Sequence, residues 1–486
     1  MKLARRNFLA LTAGAAALPV VDRVAWAQAP LAERLADYVA RLTFDDLDAA
    51  TVGQVKSFVI DTIGCGIAAF DEKAVRICRD VALASGDGGA TVIGTNRRVR
   101  PDLAAFANGA AFRYYDLNDS YVGGTTGHPS DNIAPCLAVA EAERASAAEL
   151  ITAIVVAYEI TCRLIDALDV TARGWDTPLF SLPAVALAAG KLMKLPRDRL
   201  VEAVNLSLND HIPMGQTRAQ TLSDWKGLAD AEAGRNAMFA ATLARAGLTG
   251  PAPIFEGRKG LFQLVTGPAD VDVGAFGGRG NAFKIHQCGV KTFPAVIYSQ
   301  TAIVAGIEVA SEVTKAAGSL DRIVAIEIAT TRRGHQQAGS EPEKWAPETR
   351  ETADHSLPYI TARAMVDGDL GNDSYADDKL RDPHIRAFMR KITVTEDPEF
   401  DRRRGNAPPT RVTAILDDER RITRTVTNMS GFVGQPMSRA DIERKFRSNV
   451  GKRWPAERMG AVLQALWDLD RTDDVRGLLA KLALGQ

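Results

Sequence analysis

Cysteine is scarce in this chain. Five residues, Cys65, Cys78, Cys136, Cys162 and Cys288, are scattered over 486 positions with no CxxC and no Cys/His ladder. That argues against a structural zinc site and against an iron–sulfur cluster held by closely spaced thiolates. The odd count argues against a full disulfide framework, even in an oxidising compartment. Cys65 and Cys162 lie in apolar runs and read as packing residues. A charge excess is missing as well: 59 Lys plus Arg stand against 60 Asp plus Glu. No global field recruits nucleic acid or an acidic membrane, so any anion site must be local. Gly86-Asp87-Gly88-Gly89 has neither GxGxxG nor P-loop spacing and carries no nucleotide role. His211, His286, His335 and His384 show no metal-ligand spacing such as HExxH. Internal repeats and low-complexity tracts are likewise missing.

What is present is an ordinary globular composition, 46% apolar and 24% charged, in a chain long enough for two structural units. Arg5-Arg6-Asn7-Phe8-Leu9 opens an apolar run reaching Val21, and Ala25-Trp26-Ala27 offers a small-x-small cleavage site. Paired arginines before Phe-Leu fit a twin-arginine export signal over residues 1–27. The run is too short for a stable membrane span. The expected compartment is the periplasm, or the cytoplasm if the signal is not used. From 31 to about 280 the pattern is helical. Ser146-Ala147-Ala148-Glu149 is a capping box before the apolar run Leu150 to Leu168, and Val55 to Ala69 and Leu182 to Leu192 read as further helices. The block 281–436 is α+β. Strands are expected at Arg322 to Ile328 and Lys391 to Thr395, with a hairpin at Thr410 to Leu416 and Ile422 to Thr427, and Pro358 to Val366 reads as a helix. Ser438-Arg439-Ala440-Asp441 then caps a return to helices over 437–486. The simplest fold is mainly α: a helical domain interrupted by a smaller α+β domain.

The segment from Tyr115 to Ser130 carries the strongest chemical signal. Asp116 and Ser120 stand at i and i+4, so on a helix they share one face. His128 follows the loop Gly123 to Gly127 and precedes Ser130 and Asp131, both good N-cap residues, ahead of an apolar helix from Ile133. A histidine at a helix N-terminus favours its neutral, base-competent form, and the same positive end attracts a carboxylate. Asp224-Trp225-Lys226-Gly227, with Arg235-Asn236, supplies cations at the head of another helix. Lys291-Thr292-Phe293-Pro294-Ala295 supplies a lysine at the domain junction, and Asp354-His355-Ser356-Leu357-Pro358-Tyr359 a tyrosine at a helix start. Each has an ordinary alternative: a capped turn, a solvated lysine, a packing tyrosine. Together they form a consistent set, with lysines for carboxylates and Asp, His, Ser and Tyr for proton traffic.

In these motifs the chain resembles the MmgE/PrpD family, whose members include 2-methylcitrate dehydratase, cis-aconitate decarboxylase and an iminodisuccinate epimerase. Ile60-Asp61-Thr62-Ile63-Gly64 is similar to its early DTxG helix. Asn108-Gly109-Ala110-Ala111, then Asp116 to Ser120 and His128-Pro129-Ser130, are similar to its NG…DxxD…HPS signature. Lys226 with Arg235, Lys291 to Ala295, and His355 to Tyr359 follow in family order. The resemblance implies an all-helical domain built from both ends of the chain, an inserted α+β lid, and a homodimer. It implies a site between the domains lined by Asp116, Ser120, His128, Lys226, Lys291 and Tyr359. Ser120 stands where relatives often carry threonine. Near Gly174-Trp175-Asp176-Thr177-Pro178 relatives commonly present a histidine, and this chain has none between His128 and His211.

The expected function is a cofactor-independent lyase, with no metal ligands assigned, that removes water from a hydroxy di- or tricarboxylate, like 2-methylcitrate dehydratase. Lys226 and Lys291 would bind carboxylates, His128, positioned by Asp116 or nearby polar groups, would act as general base or acid, and Ser120 and Tyr359 would orient the substrate or help the hydroxyl depart. A decarboxylase or epimerase on the same scaffold is the alternative, and a catalytically weakened, exported carboxylate-binding protein is the second.

Overall fold

A computed structural model describes residues 28–485 apart from 210, 279 and 403–406. The expected signal segment lies outside the described residues. Among the described residues, nine α-helices build the first part of the chain: α1 (Leu31–Arg41), α2 (Ala49–Ala68), α3 (Lys73–Leu83), α4 (Pro101–Arg113), α5 (Ile133–Glu143), α6 (Ala147–Ala167), α7 (Ser181–Leu192), α8 (Arg197–Leu208) and α9 (Ala229–Arg245). Local chemistry accounts for their starts. Asp48 accepts the Thr51 amide at the head of α2, and Ser146 and Glu149 form the expected capping box of α6. Helix α2 is continuously buried from Phe58 to Ile67 and α6 from Leu150 to Cys162, so these stretches form the centre of the domain.

Helices Arg439–Val450 and Ala456–Trp467 return to this domain. The first is capped by Ser438 and Asp441 as expected, and it lies on α2 where Gly64 leaves room for Phe446. A Cβ at Gly64 would meet the Phe446 ring at 3.0 Å, so a side chain there would push the returning helix away. One apolar core thus takes in residues from Leu31 to Val290 and from Ile442 to Leu482.

Strands β1 (Ala90–Thr91) and β2 (Arg98–Val99) pair as a small ribbon. Strand β3 (Asp119–Val122) pairs with β4 (Thr126–Gly127) on one side and with β5 (Gly289–Val290) on the other. The lid sheet has the order β7-β6-β8-β9, from β6 (Ile323–Thr330), β7 (Ile392–Glu396), β8 (Thr410–Leu416) and β9 (Arg421–Val426). Strand β6 runs parallel to β7 and antiparallel to β8, and β8–β9 is the expected hairpin. Ile326, Ile328 and Thr330 alternate inward, as a half-buried strand requires. Helix α10 (Gln300–Ala317) covers β8 and β9, and helix Leu357–Asp367 packs on α10. This second core runs from Ala295 to Phe432, whereas Phe283, Ile285, Cys288 and Val290 pack in the first. The change of core therefore falls at 291–295, later than the change in sequence character at 281.

Candidate active site

Asp116 and Ser120 do not share a helix face. Helix α4 stops at Arg113, the Asp116 amide donates to the Arg113 carbonyl at 3.0 Å, and Asp116 takes a left-handed conformation with φ +52°. That conformation is sterically costly for a residue with a Cβ and ends the helix. Ser120 then falls in β3, opposite Gly289 of β5. Likewise Ser130 and Asp131 do not cap α5. They lie in a 3-10 turn, Pro129–Asn132, and their side chains join a buried polar network. Ser130 donates its amide (3.1 Å) and hydroxyl (2.6 Å) to Asp119, and Asn118 donates to Ser130 (2.9 Å) and Asp131 (2.8 Å). This network fastens the β3–β4 hairpin and hence His128.

Asp116 is the hub of the site. Its Oδ1 accepts from Arg113 and, at 2.5 Å, from Lys291 Nζ, which also donates to the Asp116 carbonyl at 2.9 Å. Its Oδ2 lies 3.8 Å from Lys226 Nζ, and Lys226 donates to Asp354 Oδ2 at 2.7 Å. Both lysines and Asp116 are buried. Burial alone would raise the Asp116 carboxyl, but Arg113, Lys291 and Lys226 outweigh it and hold it well below the usual carboxylate range. Burial also lowers the Lys291 ammonium, to about 8, against the opposing pull of Asp116.

Two imidazoles face this carboxylate. His128 Nε2 is 3.8 Å from Oδ1 and His355 Nε2 is 3.8 Å from Oδ2. Their rear nitrogens define the tautomers: Nδ1–H of His128 donates to the Asp119 carbonyl at 2.6 Å, and Nδ1–H of His355 to Asp354 Oδ1 at 2.7 Å. Each Nε2 therefore presents a lone pair toward the same centre. Burial, reinforced by Arg113 and Lys291, holds His128 well below the ordinary imidazole range. Burial and Lys226 bring His355 down to about 4. Both rings are neutral bases at neutral pH. For His128 the cause is burial and neighbouring cations, since α5 starts only after the 3-10 turn.

The structure thus brings together Asp116, His128, Lys226 and Lys291. Ser120 Oγ lies beside them, 3.4 Å from His128 Nδ1, behind the ring and away from Nε2. Tyr359 stands apart: its hydroxyl donates to the Ser374 carbonyl at 2.6 Å and its ring packs against Tyr375. Its surroundings are those of a packing anchor. Tyr359→Phe is accordingly expected to leave turnover within about threefold of wild type and to cost about 1 kcal/mol of stability, as read by kinetics and denaturant unfolding. Arg235 also lies outside the cluster, its guanidinium held by Glu232 at 2.6–2.8 Å. Arg113, Asp354 and His355 are site residues that sequence reasoning missed; the pair Asp354-His355, directly before the N-cap Ser356, was the available signal.

In the segment from Gly174 to Pro178, buried Asp176 accepts the Thr177 amide and two contacts from Arg218 Nε, at 3.0 and 3.1 Å. Arg218 in turn donates to the Lys226 carbonyl at 2.6 Å and to Asp230 at 3.2 Å. An Asp–Arg pair here steadies the turn that carries Lys226. Asp116, Asp354 and His355 place ligand atoms within 4.8 Å of one another and could hold a metal ion. The ammonium groups of Lys226 and Lys291 already lie on the same carboxylates, so a divalent cation would have to displace them. A cavity of about 800 Å³ opens at the domain seam, against Tyr115 and Leu117, which flank Asp116, and Thr292 and Phe293, which follow Lys291.

A helical domain closed by its own C-terminus, an inserted α+β domain, and a buried Asp–Lys–His cluster at their junction define the class. The MmgE/PrpD N-terminal domain model matches residues 33–274 and the MmgE/PrpD C-terminal domain model matches 293–469. The chain belongs to the MmgE/PrpD family. It is 26% identical to a 2-methylcitrate dehydratase of Cupriavidus necator over 90% of this chain and 93% of that one. It is 26% identical to the cis-aconitate decarboxylase-like protein oryM of Aspergillus oryzae, over 92% and 96%. To the cis-aconitate decarboxylase of Mus musculus it is 23% identical, over 90% and 91%.

Proposed function

We propose that this chain is a cofactor-independent hydro-lyase that dehydrates a hydroxy di- or tricarboxylate, in the manner of 2-methylcitrate dehydratase. The observation that carries the reading is the pair of neutral imidazoles presenting free Nε2 atoms beside a buried Asp–Lys–Lys–Arg cluster. Similarity to enzymes named 2-methylcitrate dehydratase over 86–90% of this chain supports it.

The α-proton of a carboxylic acid leaves only if the resulting enediolate charge is stabilised, and Lys226 and Lys291 supply that charge in a water-poor setting. His128 Nε2 accepts the proton. The carbon–oxygen bond to the β-hydroxyl then breaks, its electron pair leaving with the oxygen, while the carbanion pair forms the double bond. Lys291, lowered to about 8, is an ammonium at neutral pH and can give its proton to the departing hydroxide. Water is released, and proton transfer from His128 back to Lys291 restores the site. Asp354 orients His355, whose neutral Nε2, on the opposite side of Asp116, accepts a hydrogen bond from the substrate and holds it for the transfer to His128.

The pH dependence follows from these directions. His355 must lose its proton, so kcat/KM is expected to rise through about pH 4. Lys291 must keep its proton, so kcat/KM is expected to fall through about pH 8. A profile still rising at pH 9 would remove Lys291 from the acid role.

Proton NMR in deuterated buffer, with citrate-like and malate-like acids, tests the reaction. Loss of the α-proton with a new vinylic signal supports dehydration. Carbon dioxide release would replace it with decarboxylation, the reading that the cis-aconitate decarboxylase relatives favour. Exchange without product would mean epimerisation, and binding without exchange a carboxylate-binding protein. We further propose export to the periplasm by the twin-arginine signal and a homodimer as the working form. N-terminal sequencing of the fractionated protein and sedimentation test these two.

A further inference from the structure

Two successive carbonyls of the turn that displays Asp116 are each held by a lysine. Lys291 Nζ donates to the Asp116 carbonyl at 2.9 Å, and Lys445 Nζ donates to the Leu117 carbonyl at 2.8 Å. Lys445 comes from the returning helix Arg439–Val450, 328 positions away along the chain. Its ammonium also lies 2.6 Å from Asp61 Oδ1, in the middle of α2. Asp61 is buried, as are its neighbours Thr62 and Ile63. This acidic residue of the DTxG segment takes no part in the chemistry derived above.

From this geometry we infer that Asp61 and Lys445 are positioning residues for catalysis: Asp61 aims the Lys445 ammonium at the Leu117 carbonyl, and that bond keeps Asp116 in its left-handed conformation. The inference rests on the lyase reading for its catalytic consequence.

The physical argument has three steps. A non-glycine residue at φ +52° is held there only when its surroundings over-determine it. Here the restraints are the Asp116 amide on Arg113, Lys291 on the first carbonyl and Lys445 on the second. A lysine side chain is long and flexible, so it needs a second partner to fix its head, and Asp61 is that partner. Burial raises the Asp61 carboxyl, and the nearby Lys445 charge works against that rise, so the carboxylate and the ammonium stabilise each other. The Asp116 carboxylate stands 3.8 Å from both imidazoles, so a shift of the turn by a fraction of an ångström changes both spacings together.

A purely structural ion pair and a positioning pair differ in what a double substitution restores. Lys445→Met alone leaves a buried carboxylate without its cation and should lower the melting temperature. Asp61→Asn combined with Lys445→Met removes that stranded charge, and its melting temperature should return close to wild type. The Leu117 carbonyl stays unbonded in the double variant, so kcat should remain at least tenfold down while KM changes little. Hydrogen exchange of peptides covering 114–122 should be at least tenfold faster, with α2 and Arg439–Val450 exchanging at wild-type rates. Recovery of kcat together with the melting temperature, or unchanged exchange over 114–122, would overturn the inference. The exchange measurement needs no substrate. If the wild-type protein transforms no hydroxy acid, the lyase reading falls while exchange still decides whether Lys445 holds the turn.

Discussion

A His128→Ala variant is expected to lose about 10²–10⁴ of turnover, the range positioned proton transfer supplies. The ring is placed for this by its rear nitrogen, bonded to the Asp119 carbonyl at 2.6 Å, which leaves Nε2 as a lone-pair acceptor. His355→Ala is expected to lose a comparable factor, because the Asp354 bond orients its Nε2 in the same way. Groups that act as a unit in one step are not additive. The double variant should therefore be about as slow as the slower single one, where independent roles would multiply. Single-turnover rates across the three variants read this directly. A loss below about tenfold in His128→Ala would remove it from the proton transfer.

The largest effect on stability is expected from Asp116→Ala. Three cations, Arg113, Lys226 and Lys291, lie within 4.0 Å of this one carboxylate, and all four side chains are buried. Deleting the anion strands like charges in a low-dielectric setting, and breaking such a group typically costs about 3–5 kcal/mol. Denaturant unfolding of the variant measures it, and a change under about 1 kcal/mol would mean that water or a neighbouring carboxylate already neutralises the lysines. Lowering the pH tests the same linkage. The folded-state pKa of Asp116 is depressed, so its contribution is present above the ordinary carboxylate pKa and is lost as the pH falls through the depressed value.

Much of the fold was legible because helix and strand signals are local. The Ser146–Glu149 capping box, the apolar run behind it, the β8–β9 hairpin and the Ser438 cap all act over three or four neighbouring residues. Local reasoning misled at Asp116, where a helical spacing continued past the end of α4. The left-handed turn there is held by Lys291 and Lys445, neither of which a window around Asp116 contains. It misled again at Tyr359, because a hydroxyl in a motif says nothing of the Ser374 carbonyl that takes it.

By itself, the sequence determined the helical domain, the α+β insertion and a set of candidate residues in family order. Only the tertiary structure decided which of them meet. Lys291 reaches Asp116 across 175 positions and Lys226 reaches Asp354 across 128. Such contacts depend on how whole helices and sheets pack, so no local propensity encodes them. The same packing removes water from the cluster, and that burial, more than residue identity, makes His128 and His355 neutral and lowers the Lys291 ammonium to about 8.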